Sequence, residues 1–354
     1  MAGGHGTRLW PLSRKDRPKQ SLVITGNKSL FQEAVDRLEG LFSPERILII
    51  TVADQVKFLK EACPQIPDKN FIREPLPRGT ASVVGLAAIA LKNRDPQATM
   101  AILTADHVIK NADLFRQMLQ NAYTVAQNDY LVTLGIKPTY AATGYGYIQR
   151  GISIEGFHDV EVFSVKEFKE KPNEKLAEMF FYDGDHFWNS GMFIWQVDTI
   201  MTEIQQQMPN LFDKLEIISE AWSTAKREVI LGEIWPTIIP QTIDYGIMEH
   251  AQKVAVIQAA DLGWDDVGSW DSLFNVFKLD EAGNIVMKGE SIAFDTHGTL
   301  IYDDSPERVV VTIGVKDFII VNSGNAILVC DRQQAQRVRE VIDYLKENGR
   351  INYL

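Results

Sequence analysis

The chain has 354 residues, long enough for a large domain and a smaller one. Hydrophobic residues make up 45% and charged residues 23%, ordinary globular values, and no apolar run is long enough to cross a bilayer. The net charge of -11 argues against nonspecific nucleic-acid binding, and two distant cysteines, Cys63 and Cys330, argue against a disulfide scaffold or zinc ribbon.

The chain opens with MAGGHGTRLWPLSRKDRPKQ. Gly3, Gly4 and Gly6 leave backbone N–H groups uncovered and able to close around phosphate oxygens. Arg8, Arg14, Lys15, Arg17 and Lys19 follow, opposed only by Asp16, so a local positive cluster stands against a negative global balance. A glycine loop followed by cations suits a polyphosphate. A loop of this kind normally follows a buried strand, yet only Met1 and Ala2 precede Gly3. The expectation is an authentic start upstream, with about four to seven further apolar residues forming that strand. Without them, neighbouring strands keep unpaired edges.

Strand and helix patterns then alternate. Arg46–Thr51 reads as a buried strand, Asp54–Cys63 as a helix, Phe71–Glu74 as a short strand and Thr80–Asn93 as an Ala-rich helix. Met100–Thr104 reads as a strand ending at Asp106, Ala112–Gln127 as a helix and Tyr130–Ile136 as a strand. This alternation predicts an α/β fold with a doubly wound, mostly parallel sheet, whose ligands sit at the carboxyl ends of the strands. From Gly144 the pattern loosens into strands at Tyr145–Arg150, Val160–Lys169 and Phe187–Gln196, around helices at Asn173–Phe181 and Asp198–Met208. After about Asn275, short β-rich runs punctuated by Gly, Asn and Asp suggest a small β-helix, with a plain antiparallel cap as the alternative. Gln333–Asn348 closes the chain as an amphipathic helix.

Three acidic or mixed clusters have chemical potential. Asp106 at a strand end is placed to hold Mg²⁺, or simply to cap a turn. Asp265 and Asp266, hemmed by Trp264, Gly268 and Trp270, do not look like a solvated charge run. In Glu170-Lys171-Pro172, strand alternation sends Glu170 and Lys171 to opposite faces, so both reach one ligand only if the strand bends, which Pro172 encourages. Asn189, in Trp188-Asn189-Ser190-Gly191-Met192, offers a donor and an acceptor for hydroxyls. His5, in the glycine loop, and His107, next to Asp106, read as neighbours of a site rather than as catalysts.

GGxGTRLWPLS followed by PKQ resembles the signature of the sugar-1-phosphate nucleotidylyltransferase family, most closely its mannose-1-phosphate guanylyltransferase branch. The resemblance implies a Rossmann-like nucleotidyltransferase domain over residues 1–275 and a β-helix-like domain with its terminal helix over 276–354. It implies transfer of GMP from GTP to α-D-mannose 1-phosphate, giving GDP-mannose and pyrophosphate, with Mg²⁺ as cofactor. By the same resemblance Gly3, Gly4, Gly6, Thr7 and Thr80 bind the nucleotide. Arg8, Lys19 and Lys171 act on the phosphates. Gly146, Glu170, Lys171 and Asn189 hold the sugar phosphate, and Asp106 and Asp266 ligate the metal. Asp244, in IDYGIME, has no assigned role. The base-reading stretch departs from the family's EP…NTAPA, with Gly79 for Asn and Ser82 for Pro, which loosens the guanine assignment more than the reaction class. The alternatives are another nucleotide or hexose 1-phosphate, or a regulatory homologue without turnover. With no signal peptide in view, the expected compartment is the reducing cytoplasm. Neither nucleic acid nor membrane is an expected partner, and a homodimer is left open. A fused cupin isomerase is not visible, so a single activity is expected.

Overall fold

A computed structural model describes residues 1–4, 6–305 and 307–354. The first strands and helices follow the expected alternation: α1 (Leu30–Asp36), β1 (Ile49–Val52), α2 (Ala53–Ala62), β2 (Phe71–Glu74), α3 (Thr80–Lys92), β3 (Thr99–Ile102), β4 (Val108–Ile109), α4 (Ala112–Ala126) and β5 (Leu131–Ile136). The looser middle contains β6 (Gly146–Ser153), β7 (Val162–Glu170), α5 (Glu174–Asp183), β8 (His186–Gln196), α6 (Val197–Gln207), α7 (Pro209–Ala221), α8 (Arg227–Ile234), β9 (Val254–Ala259), β10 (Trp264–Asp265) and α9 (Leu273–Val276). Of these, α1, β4, α7, α8, β9, β10 and α9 have no counterpart in the sequence expectations. Ser29 and Gln32 form a reciprocal capping box that starts α1.

The main sheet has six strands in the order β3-β8-β5-β9-β7-β6. It is mixed rather than mostly parallel. β5 and β9 pair in parallel, but β8 lies antiparallel between β3 and β5, and β7 is antiparallel to β9. Both faces are covered, which makes the fold doubly wound. On one side Val254 and Val256 of β9 pack with α3, α6 and α7; on the other, Ala255 and Ile257 pack with α4. The alternation of β9 residues between two cores follows from the period-2 geometry of a strand. The helix α3 is apolar nearly all round because it is buried between the sheet and α7. Gly85 permits that approach, since a Cβ there would meet Leu215 Cδ1 at 2.3 Å.

The last section winds through β11 (Ile285–Lys288), β12 (Glu290–Phe294), β13 (Leu300–Asp303), β14 (Val309–Ile313), β15 (Phe318–Ser323) and β16 (Ala326–Asp331) to α10 (Val338–Glu347). Parallel ladders join β11 to β13, β13 to β15 and β12 to β14, which is the stacking of a β-helix and not of an antiparallel cap. Polar rungs repeat between coils: Thr296 donates to Thr312 at 2.9 Å, and Asn322 to Asp303 at 2.9 Å. The expected closing helix begins as a 3-10 turn over Arg332–Arg337 and becomes α-helical only at Val338.

Leu9, Trp10 and Leu12 from the opening signature share one core with Trp270, Leu300, Ile319 and Ile342. The β-helix and its closing helix therefore support the glycine loop from below. Trp10 Nε1 donates to Tyr353 O at 2.7 Å, and Trp270 Nε1 donates to Trp10 O at 2.9 Å. No helix among the described residues is long and apolar enough to cross a membrane.

Candidate active site

The glycine loop is tied down at its start. Ala2 donates its N–H to Ile50 O at 2.9 Å, and its carbonyl accepts from Thr51 Oγ1 at 2.8 Å and Gln20 Nε2 at 3.0 Å. Gln20, the last residue of PKQ, is thus a structural anchor that sequence reading passed over. Gly6 has φ of 56°, and a Cβ there would come within 2.2 Å of Lys19 Cβ. The loop and the Lys19 stem are packed so tightly that only glycine fits. A Cβ on Gly3 would meet Glu74 Oε1 at 2.7 Å, whereas Gly4 faces open space. Thr7 begins a short 3-10 turn that places Arg8 on the same stretch. His5 lies outside the described residues.

The five cations of the opening stretch divide. Lys19 Nζ lies 2.9 Å from Asp106 Oδ2 and also donates to the backbone oxygen of Asp266. Arg14 turns away, donating to Asn325 Oδ1 at 2.6 Å and Ser323 O at 2.9 Å on the β-helix. Arg17 approaches Asp304 there at 3.8 Å. Among the described residues, no carboxylate pairs with the Arg8 guanidinium.

Asp106 and Asp266 reach one place because β4 and β10 pair, with Asp265 opposite Val108. Asp266 Oδ1 accepts from Gly268 N at 2.9 Å and from Tyr145 OH at 3.0 Å. Asp265 instead caps the Val267 N–H at 2.7 Å. Val267 has φ of 47°, a conformation that costs a β-branched residue roughly 1–3 kcal/mol and holds the two acids facing different ways. Burial pushes Asp265 up to about 6. Burial is the largest single influence on Asp106 and raises it, but the charges around it, Lys19 foremost, together hold the carboxyl below its ordinary range. His107 is lowered to about 4 by burial, so its ring is neutral at pH 7, and Nδ1 accepts from Trp264 Nε1 at 3.1 Å.

A second corner gathers Gly146, Glu170, Lys171 and Asn189. Gly146 pairs with Glu170 across β6 and β7, and a Cβ on Gly146 would strike Glu170 Oε2 at 2.3 Å. Lys171 has φ of 45°, which bends the chain as the motif requires, and its Nζ returns to Glu170 Oε1 at 2.5 Å. Asn189 Nδ2 donates to Asp244 Oδ1 at 2.6 Å, while Asn189 Oδ1 accepts from Gly191 N at 3.0 Å. Asp244, left unassigned by the sequence, therefore orients Asn189; burial raises its carboxyl. Tyr145 links the two corners, because its carbonyl accepts from Lys171 N at 3.2 Å and its hydroxyl reaches Asp266.

A third corner lies at the start of α3. Thr80 Oγ1 accepts from Ile243 N at 2.8 Å, so this hydroxyl already holds the 241–243 segment. Gly79 has φ of 82°, and a Cβ there would meet Gln241 O at 2.2 Å, which explains why no larger residue stands here. Ser82 donates back to Gly79 O at 2.9 Å. Glu74, at the end of β2, is buried with no hydrogen-bond partner for Oε2 among the described residues, and burial lifts it to about 7.

The nucleotidyl transferase family model matches residues 1–283. The chain belongs to that family. A second model, the MannoseP isomerase/GMP-like beta-helix domain, matches residues 289–345. The chain is 35% identical to mannose-1-phosphate guanylyltransferase 2 of Escherichia coli O157:H7, over 100% of this chain and 74% of that protein. It is 37% identical to a mannose-1-phosphate guanylyltransferase of Salmonella typhimurium, over 100% of this chain and 73% of that one. A solved structure from Thermus thermophilus, described as a mannose-1-phosphate geranyltransferase, superposes with TM-score 0.87 at 33% identity, covering 98% of both chains. The chain is an enzyme of the nucleotidyltransferase class.

Proposed function

We propose that this enzyme transfers GMP from GTP to α-D-mannose 1-phosphate, releasing pyrophosphate. The observation that carries this reading is Lys19, which joins the foot of the glycine loop to Asp106 and to the Asp266 backbone. The names of the relatives supply the nucleotide and the sugar.

The reaction needs alignment more than covalent help. An oxygen of the sugar phosphate attacks the α-phosphorus, and the bond to the bridging oxygen of pyrophosphate breaks on the opposite side. The backbone N–H groups of Gly3, Gly4, Gly6 and Thr7 bind the triphosphate oxygens. Arg8 neutralises the charge growing on pyrophosphate, and Lys19 steadies the α-phosphate side. Lys171 holds the sugar phosphate, while Glu170 and Asn189 accept and donate to sugar hydroxyls. Neutral His107 takes no part in proton transfer, because the attacking oxygen is already anionic.

Two carboxylates with hard oxygen donors fit Mg²⁺, which ordinarily keeps phosphate oxygens and water for its remaining positions. Asp106 and Asp266 are those donors: Oδ2 of Asp266 has no hydrogen-bond partner among the described residues. When bound, the ion withdraws charge from the triphosphate oxygens.

The test is a matrix of nucleoside triphosphates against hexose 1-phosphates, read as pyrophosphate release. GTP with mannose 1-phosphate should give the highest kcat/KM. A faster pair would reassign the substrates, and no turnover with any pair would favour the regulatory alternative.

A further inference from the structure

The segment from Gln241 to Asp244 touches two corners of the site at once. It is stitched to the start of α3 by two hydrogen bonds: Ala81 N donates to Gln241 O at 3.1 Å, and Ile243 N donates to Thr80 Oγ1 at 2.8 Å. The fit is close, because a Cβ on Gly79 would meet Gln241 O at 2.2 Å. The next residue reaches across to β8, where Asp244 Oδ1 accepts from Asn189 Nδ2 at 2.6 Å. Only one peptide unit, about 3.8 Å between Cα atoms, separates the two grips. The chain then enters a π-turn over Asp244–Met248, in which Glu249 N donates to Asp244 O at 3.0 Å. Such turns are rare and recur at functional sites.

Each end of this link keeps hydrogen-bonding capacity for a ligand. Thr80 Oγ1 accepts from Ile243 N, and among the described residues its hydroxyl hydrogen has no acceptor, so it is left to donate. Asn189 Oδ1 accepts from Gly191 N at 3.0 Å, and one Nδ2 hydrogen goes to Asp244. Those two bonds fix the amide one way round and leave its second Nδ2 hydrogen to donate. Without the Asp244 acceptor, only the Gly191 bond would orient the amide.

We propose that Asp244 is a positioning residue that couples the two substrate corners. A nucleotide that accepts from the Thr80 hydroxyl orders Thr80 and the Ile243 amide bonded to it. Asp244, one residue further on, then holds the Asn189 amide in the orientation that meets a sugar hydroxyl. The segment is ordered once, by whichever ligand binds first, so each ligand raises the affinity for the other by the same factor. The inference rests on the assignment of the Thr80 corner to the nucleotide and of the Asn189 corner to the sugar phosphate.

The test measures mannose 1-phosphate binding by calorimetry at fixed Mg²⁺, without and with a saturating GTP analogue. The analogue carries a methylene group in place of the α,β-bridging oxygen, so it cannot transfer GMP. It should raise the parent's affinity for the sugar phosphate at least about fivefold, and Asp244→Ala should cut that factor below about twofold. Asp244→Asn keeps an acceptor for Asn189 and should restore most of it. A merely structural role would weaken both ligands and leave their mutual factor unchanged. Absence of the factor in the parent, or its survival in Asp244→Ala, overturns the proposal. If Asp244→Ala fails to fold, Thr80→Val at saturating analogue must lose the factor, and its survival is a refutation. If the parent fails to bind either probe, the substrate assignment has failed, and the coupling is decided without ligands. The unfolding free energies of Thr80→Val, Asn189→Ala and the double variant should then be non-additive. Additive losses overturn the proposal.

Discussion

Lys19 is wedged between Gly6 and Asp106: its β-carbon occupies the space a side chain on Gly6 would need, and its ammonium lies 2.9 Å from Asp106 Oδ2. The loop, the cation and the acid therefore form one mechanical unit, in which moving any member displaces the others.

Removing the cation tests that unit. Lys19→Met should lower kcat by roughly 10²–10³-fold, the usual range for loss of one preorganised charge partner. It should also raise the Asp106 carboxyl, because burial then acts unopposed by the ammonium. A raised carboxyl titrates at higher pH, so the acid limb of the kcat profile should move upward. An unchanged acid limb would mean that Asp106 does not need to be ionised.

Arg8 and Arg14 belong to the same sequence cluster but should behave differently. Arg8→Ala should reduce kcat by roughly 10²–10³-fold at saturating substrates with little change in unfolding midpoint. Arg14→Ala removes bonds to Asn325 and Ser323 and should cost about 1–2 kcal/mol of stability, with kcat nearly intact. Steady-state kinetics and thermal unfolding of both variants check this, and a reversed pattern would exchange their roles.

Asp106→Asn and Asp266→Asn should each raise the Mg²⁺ concentration required for half-maximal activity. If both acids hold one ion, the double variant should lose less than the product of the single losses. Multiplicative losses with an unaltered Mg²⁺ titration would assign the two acids to separate tasks.

Glu74 offers a stability test. Its folded carboxyl is lifted to about 7 by burial, above its ordinary value of 4.5, so folding favours the protonated form. Stability should therefore fall as pH rises from about 4.5 to 7, by roughly 3 kcal/mol at most. Glu74→Gln mimics the protonated form and should be level with the parent near pH 4 but more stable at pH 8. Chemical denaturation at both values decides it; parallel curves would mean that the carboxyl is not strained by burial.

The sequence by itself determined the local features. The glycine loop, the alternating helices and strands, the Glu170-Lys171-Pro172 bend and the β-rich end were all legible, because each depends on residues near one another in the chain. That Gly79 departs from the family pattern was also legible, but its positive φ and the Gln241 carbonyl that excludes a Cβ there belong to the tertiary structure. What tertiary structure decided is which of several equivalent residues faces the site. Residue type and spacing alone do not separate Arg14, bound to the β-helix, from Arg8, or Asp265, capping Val267, from Asp266 beside Tyr145; only the family resemblance chose between them. The links from Asp244 to Asn189 and from Gln20 to Ala2 were equally hidden, as was the antiparallel insertion of β8 between β3 and β5. Hydrogen bonds and strand pairings between distant segments depend on the packing of whole layers, and that packing leaves no periodic trace along the chain.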